Sequence, residues 1–294
     1  FFFGGISYIG GANEAGRDSW LSFLIAGVLF IPLLFCFLGL VKGEQDVEAV
    51  FCRAAGKWGG RFLCLLYGVL AIYVSAVAIS IFVYFISETA LIRTPRVVLA
   101  LLMALTIAFL LRCKLPALGR FGEMTFPIVA AFVLISILAT LPQCNFRDLL
   151  PVARHIGELL NGTWTSLLLH YGECFFPILA LCTGIRDHKE RKRGALGAVA
   201  FAAVTLCSVF IKNLCSLDLY AVTSYYFPSF AVASSISLGP FFQRFEIFVA
   251  INFAFCELCK AGLCLLFAQK ALAPLLHFQE KALAGPLALT SANL

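Results

Sequence analysis

The chain has 294 residues, of which 61% are hydrophobic and 13% charged, against roughly 45–50% and 25% in an average soluble domain. Mean hydropathy is +0.95, and the 22 basic and 16 acidic residues leave a net charge of +6. A soluble protein of this length lacks the interior to hide so many apolar side chains, so two soluble domains, a disordered chain and a secreted disulfide scaffold are excluded. The long apolar runs predict an all-α integral membrane protein.

In chain order, residues 1–11 are apolar but too few to cross a bilayer. The chain opens on Phe, and no basic segment marks a signal peptide. We read this stretch as the second half of a first span whose beginning is absent. Further spans are predicted at 20–41, 62–87, 97–111 (extending through Cys113), 124–141, 163–184, 194–211 and 241–268, a bundle over 1–268 with eight spans, the first incomplete. Residues 269–294, with Pro274 and Pro286, predict a short, weakly structured tail. The mixed loops at 42–61 and 145–161 predict short interfacial helices. Fourteen Lys and Arg fall on one side of this arrangement, densest at 186–193, and six or seven on the other. The bias places the N-terminus in the cytoplasm.

The twelve cysteines sit mainly within apolar runs, as Cys64, Cys174, Cys207 and Cys264 do, and read as small hydrophobes. Cys256 and Cys259 form a CxxC with no second pair to complete a metal site. The four histidines are scattered. No nucleophile–base pair, phosphate loop or metal-ligand cluster is visible, so the reading is of a protein that is not an enzyme and carries no cofactor.

The chemistry lies in interrupted helices. Gly4, Gly5, Gly10 and Gly11 flank Ser7 and Tyr8 in the first span. The sixth holds His170-Tyr171-Gly172-Glu173, with Pro177 one turn on. Glycine and proline both weaken a continuous helix, and a pair of such spans in corresponding halves marks an inverted-repeat transporter. Close packing through small residues is the plainer alternative for the first span. Glu173 in mid-span costs roughly 2.5–3.5 kcal/mol on insertion scales. It is a candidate acceptor for a substrate ammonium, a candidate proton-coupling residue, or a cap for the broken helix end. In the eighth span, Glu257 and Lys260 are three apart and predict a structural ion pair. Arg244 and Glu246 lie near its outer end. Tyr225-Tyr226-Phe227-Pro228 predicts an interfacial aromatic belt.

Several stretches resemble the GerAB-type endospore germination permeases of the amino acid–polyamine–organocation superfamily. Ala15-Gly16-Arg17-Asp18-Ser19-Trp20-Leu21 is similar to that family's AGRDaW motif, and Asn145-Phe146-Arg147-Asp148-Leu149-Leu150-Pro151-Val152 with Gly157 to its N-x-x-x-LLPV-x-x-x-x-G loop. Leu118-Gly119-Arg120 with Glu123, Tyr171-Gly172-Glu173 with Pro177, and Arg244-Phe245-Glu246 resemble its LGR-x-x-E, FGE and RxE segments. The resemblance implies a LeuT-like inverted-repeat bundle of ten helices, here shortened to about eight. It implies the B subunit of a spore nutrient-germinant receptor in the spore inner membrane, a multi-pass membrane protein partnered by an A subunit and a lipoprotein C subunit. It also implies a small nutrient, often an amino acid, bound at the first and sixth spans. Carried over residue by residue, that site is Gly4, Gly5, Ile6 and Ser7 with Tyr171, Gly172 and Glu173. A proton-coupled amino-acid transporter of the same fold is the alternative, and a non-transporting assembly scaffold a third class.

Overall fold

A computed structural model describes residues 14–41, 46–113, 115–183, 185, 187–235 and 246–293. Among them the regular structure is helical throughout: α1 (Ser19–Leu40), α2 (Val47–Thr89), α3 (Arg96–Arg112), α4 (Leu115–Thr140), α5 (Ile156–Ser166), α6 (Phe175–Cys182), α7 (His188–Ser224), α8 (Pro228–Ser234), α9 (Glu246–Leu276) and α10 (Glu280–Asn293). Five runs are long and apolar enough to cross a membrane: Gly16–Leu40, Val47–Thr89, Leu115–Gln143, Lys189–Ser224 and Glu246–Leu276. They correspond to the predicted second, third, fifth, seventh and eighth spans. The fourth is the 17-residue α3, and the sixth is segmented into α5 and α6. The chain is an all-α integral membrane protein. The predicted first span falls outside the described residues.

These helices are apolar on nearly every face, the pattern of a segment buried in protein on one side and in lipid on the other. Val28, Leu29, Leu33 and Phe35 of α1, and Leu101, Leu102, Leu105 and Phe109 of α3, are large hydrophobic side chains on the outer surface. In water such patches would aggregate; in a bilayer they face chains as apolar as themselves.

The core is organised along α2 and α9, which pack antiparallel. Near one end Phe85 lies 4.5 Å from Phe253, ring to ring. Near the other a Cβ on Gly68 would come within 2.8 Å of Leu272. The small residue there lets the two backbones approach, as close helix pairs in membranes require. Tyr67 and Phe51 stack on each other beside Phe175, and Phe176 and Phe267 extend the cluster to α6 and α9.

The tail expected to be weakly structured is helical. Residues 269–276 complete α9, and α10 buries Ala284, Leu287, Ala288 and Ser291 against α2 and α3. Apolar positions every three or four residues outweigh Pro286, which the periodicity of a short segment did not reveal beforehand.

Two hinges divide the longest helices. Gly56, at φ +73° and ψ 173°, separates an initial helical segment of α2 from its membrane span, so part of the 42–61 loop forms the short helix expected there. Arg61 and Glu48 bridge this hinge at 3.1 Å. Asp218 (φ +64°) bends α7, and its carboxylate accepts the Ala221 amide at 2.8 Å to restart the helix. Two of the motifs singled out in the sequence meet at one end of the bundle. Arg17 donates to the Leu150 carbonyl at 2.7 Å, and the buried Asp18 carboxylate accepts the Ala153 amide at 3.0 Å.

At the α2 hinge a Cβ on Gly60 would meet the Cys52 backbone at 2.5 Å, where nothing flexible can give. Gly60→Ala is expected to destabilise the protein by about 1–3 kcal/mol, seen as a lowered thermal midpoint in lipid nanodiscs. Gly59→Ala, which meets only the Ala55 side chain at 3.2 Å, should cost less.

Candidate ligand site at the interrupted sixth span

The sixth span runs from α5 into α6 without a loop, but its hydrogen-bond register changes twice. Leu167–Tyr171 forms a π turn and Gly172–Cys174 a 3-10 turn before α6 begins. Pro177 has no amide proton and crowds the carbonyl four residues earlier, that of Glu173. The segment must therefore satisfy its backbone another way, and a π bulge followed by a tightened turn does so. The dihedrals stay right-handed throughout, with Gly172 at φ −61° and ψ −38°. The interruption is thus a register shift inside a continuous helix, milder than the open break that the glycine and proline content predicted. Its effect is to rotate the side chains of residues 170–174 relative to a regular helix.

That rotation sends the three predicted residues in different directions. Tyr171 is fully buried; its hydroxyl donates to the Phe23 carbonyl of α1 at 3.1 Å, and its ring lies 5.6 Å from that of Phe30. Gly27 makes room for it, since a Cβ there would lie 2.8 Å from the Tyr171 oxygen. Tyr171 therefore anchors the sixth span to α1. Gly172 is half-buried, and a Cβ there would meet nothing nearer than the Leu167 carbonyl oxygen at 3.5 Å, so this face is not tightly covered. Glu173 crosses to α9, where its carboxylate pairs with Lys260 at 2.6 Å. The Lys260 side chain is 7% exposed and that of Glu173 26%.

This geometry corrects one expectation. Lys260 turns to Glu173 on the sixth span and not to Glu257 on its own helix, because the register shift brings the Glu173 carboxylate to α9. Glu257 is fully buried, and among the described residues neither of its oxygens has a hydrogen-bond donor. The buried His170 ring packs edge-on to Phe23 at 5.1 Å, and the Ser75 hydroxyl of α2 has no hydrogen-bond partner among the described residues. Buried polar groups are normally satisfied, so the Glu257 carboxylate, three residues before Lys260 on the same helix, marks a polar spot in an otherwise apolar bundle. Ser75, a lone Ser in an apolar run, carries no signal of its own in the sequence, and His170 stands out there only as the neighbour of Tyr171 in the interrupted span. Gly4, Gly5, Ile6 and Ser7 lie outside the described residues, as does Arg244. Among the described residues no group of His, Cys, Asp and Glu is arranged to hold a metal ion.

A family model described as "Spore germination protein" (Spore_permease) matches residues 6–291. The chain belongs to the spore germination permease family. It is 22% identical over 247 residues to spore germination protein KB of Bacillus subtilis (strain 168), covering 80% of this chain and 65% of that protein. The putative spore germination protein YfkT of the same organism is 21% identical over 246 residues (81% and 65%). Spore germination protein XB of Bacillus anthracis is 20% identical over 241 residues (80% and 66%). The chain thus spans about 65% of the length of the curated relatives it matches.

Two perturbations separate anchoring from charge. Tyr171→Phe removes one interhelical hydrogen bond and should cost about 1 kcal/mol. Lys260→Met leaves Glu173 unpaired and should cost about 2–3 kcal/mol, at the low end for breaking a buried pair, because Glu173 retains some exposure. The double variant Lys260→Met/Glu173→Gln should recover most of that loss. Denaturant unfolding in mixed micelles measures all three.

Proposed function

We propose that this protein is the B subunit of a nutrient-germinant receptor, which binds a small nutrient of the amino-acid class where the first span meets the interrupted sixth. In this reading Gly4, Gly5, Ile6 and Ser7 supply one side of the site and Tyr171, Gly172 and Glu173 the other, within a LeuT-like inverted-repeat bundle. The subunit sits in the spore inner membrane with its N-terminus cytoplasmic and signals to an A subunit and a lipoprotein C subunit. Membership in the spore germination family and the names of its relatives support the receptor role.

The observation that carries the site is the buried Glu173–Lys260 pair at a register shift of the sixth span. An ion pair held at membrane depth is costly and sits poised for exchange, because a zwitterionic nutrient offers the same two charges in one molecule. A ligand that competes for these groups better in one arrangement of α6 and α9 than in another shifts the balance between the arrangements. The shift is as large as its differential affinity. Glu173, which keeps some exposure at 26%, also fits a carrier that couples amino-acid uptake to protons, which is the second reading.

Spores carrying Gly172→Leu should need at least about tenfold more nutrient to germinate, followed as loss of optical density. In proteoliposomes with an imposed proton gradient, the receptor reading expects no concentrative uptake of labelled amino acid. Concentrative uptake abolished by Glu173→Gln would establish the carrier instead. Nutrient binding unchanged by both Gly172→Leu and Glu173→Gln would place the site elsewhere.

A further inference from the structure

The receptor reading leaves open which group recognises the nutrient's positive end, and the charge balance of this polar spot answers it. Three ionisable side chains meet at mid-depth: Glu173 from the sixth span and Glu257 and Lys260 from α9. Lys260 is engaged with Glu173 at 2.6 Å. Glu257 precedes it by three residues, which puts the two on one face of α9 with Cβ atoms about 5–6 Å apart. Glu257 has no exposed surface and neither carboxylate oxygen has a donor among the described residues. A buried carboxylate without a hydrogen-bond donor is among the least favourable arrangements in a bilayer.

Beyond Lys260, cations that could match it are scarce. The register set by Phe85–Phe253 and Gly68–Leu272 puts Glu257 opposite Ile81, Phe82 and Val83 of α2, and α2 carries no charge between Arg61 and Glu88. α1 carries none at all, and on α4 the charged Arg120 and Glu123 lie within its first third. On α7 the buried Lys212 is committed elsewhere, donating to Ser136 of α4 at 3.0 Å.

We propose that Glu257 is the acceptor for the ligand's ammonium group, and that the site therefore selects nutrients bearing a primary amine, α-amino acids foremost, over neutral nutrients such as sugars or nucleosides. Glu173 contributes by engaging the Lys260 ammonium at 2.6 Å, so that two carboxylates beside one ammonium leave the charge balance open to one more cation. This inference rests on the receptor reading and assigns to Glu257 a role beyond the structural pairing that its spacing suggests. Placing the ammonium on Glu257 also gives a physical reason for tolerating a second buried carboxylate beside a single lysine in the free protein: the ligand relieves it.

The test uses the full-length protein purified into lipid nanodiscs together with the subunits that accompany it. Binding is measured for the twenty L-amino acids, their N-acetyl derivatives, glucose and inosine. At least one amino acid should bind, and N-acetylation, which removes the ammonium charge without touching the protein, should abolish its binding. Glu257→Gln, nearly isosteric, should weaken it at least about 30-fold, and Glu257→Asp, which keeps the charge with a shorter reach, should weaken it less. A folded Glu257→Gln protein that binds the amino acid as well as the unaltered one overturns the assignment and leaves the receptor reading intact. So does binding of an N-acetyl derivative equal to that of its parent, or a response to glucose or inosine with none to amino acids. Failure of every compound to bind the unaltered protein removes both.

Discussion

The bundle depends on one ionic contact at membrane depth, the bridge from Glu173 to Lys260. Neither charge could be carried alone into the hydrocarbon region at an acceptable cost, so each is there because the other is. Their meeting requires the sixth span to present residue 173 toward α9, and a regular helix through 156–182 would aim it elsewhere. The π turn and the 3-10 turn, enforced by Pro177 and eased by Gly172, provide the rotation. Local backbone chemistry and long-range electrostatics are here a single constraint.

Around that contact the neighbouring elements serve as fixed supports. Tyr171, the last residue of the π turn, is pinned to α1 through the Phe23 carbonyl, while Lys270 donates to the Ala180 carbonyl and the Thr183 hydroxyl at the far end of α6. A cation at a helix C-terminus is favourably placed. The short α6 is thus held at both ends, by α1 and by α9, and the Glu173–Lys260 bridge lies between the two attachments. The long antiparallel contact of α2 with α9 provides the rigid wall against which a ligand-dependent change at α6 would be read.

Much of this was legible in the linear sequence. Composition and run length are enough to specify a helical membrane protein, because a bilayer admits few other ways to satisfy a buried backbone. The spans second to eighth appear as helices, though α3 and the segmented sixth span are short of a full crossing in one piece. Glycine and proline content pointed to the sixth span as irregular. The tail at 269–294 was misjudged, since two prolines in a short apolar segment look like breakers until a neighbouring surface offers its buried face a place to pack. The AGRD and LLPV motifs were recognisable as motifs, but their purpose, closing a hydrogen-bonded junction through Arg17 and Asp18, needed the third dimension.

The sequence by itself determined the environment of the chain, the approximate places of its spans and the identity of its costly buried charges, since hydropathy and charge act locally and accumulate along a helix. Which charge pairs with which was decided only by the tertiary structure. Glu257 and Lys260 satisfy the spacing for a pair on one helix, yet Lys260 finds Glu173, 87 positions away in the chain. Sequence spacing reports neighbours within one helix; it carries no information about the rotation of another helix facing it. That rotation turned a predicted structural pair into an ion pair between helices and left Glu257 a buried carboxylate with no hydrogen-bond donor among the described residues.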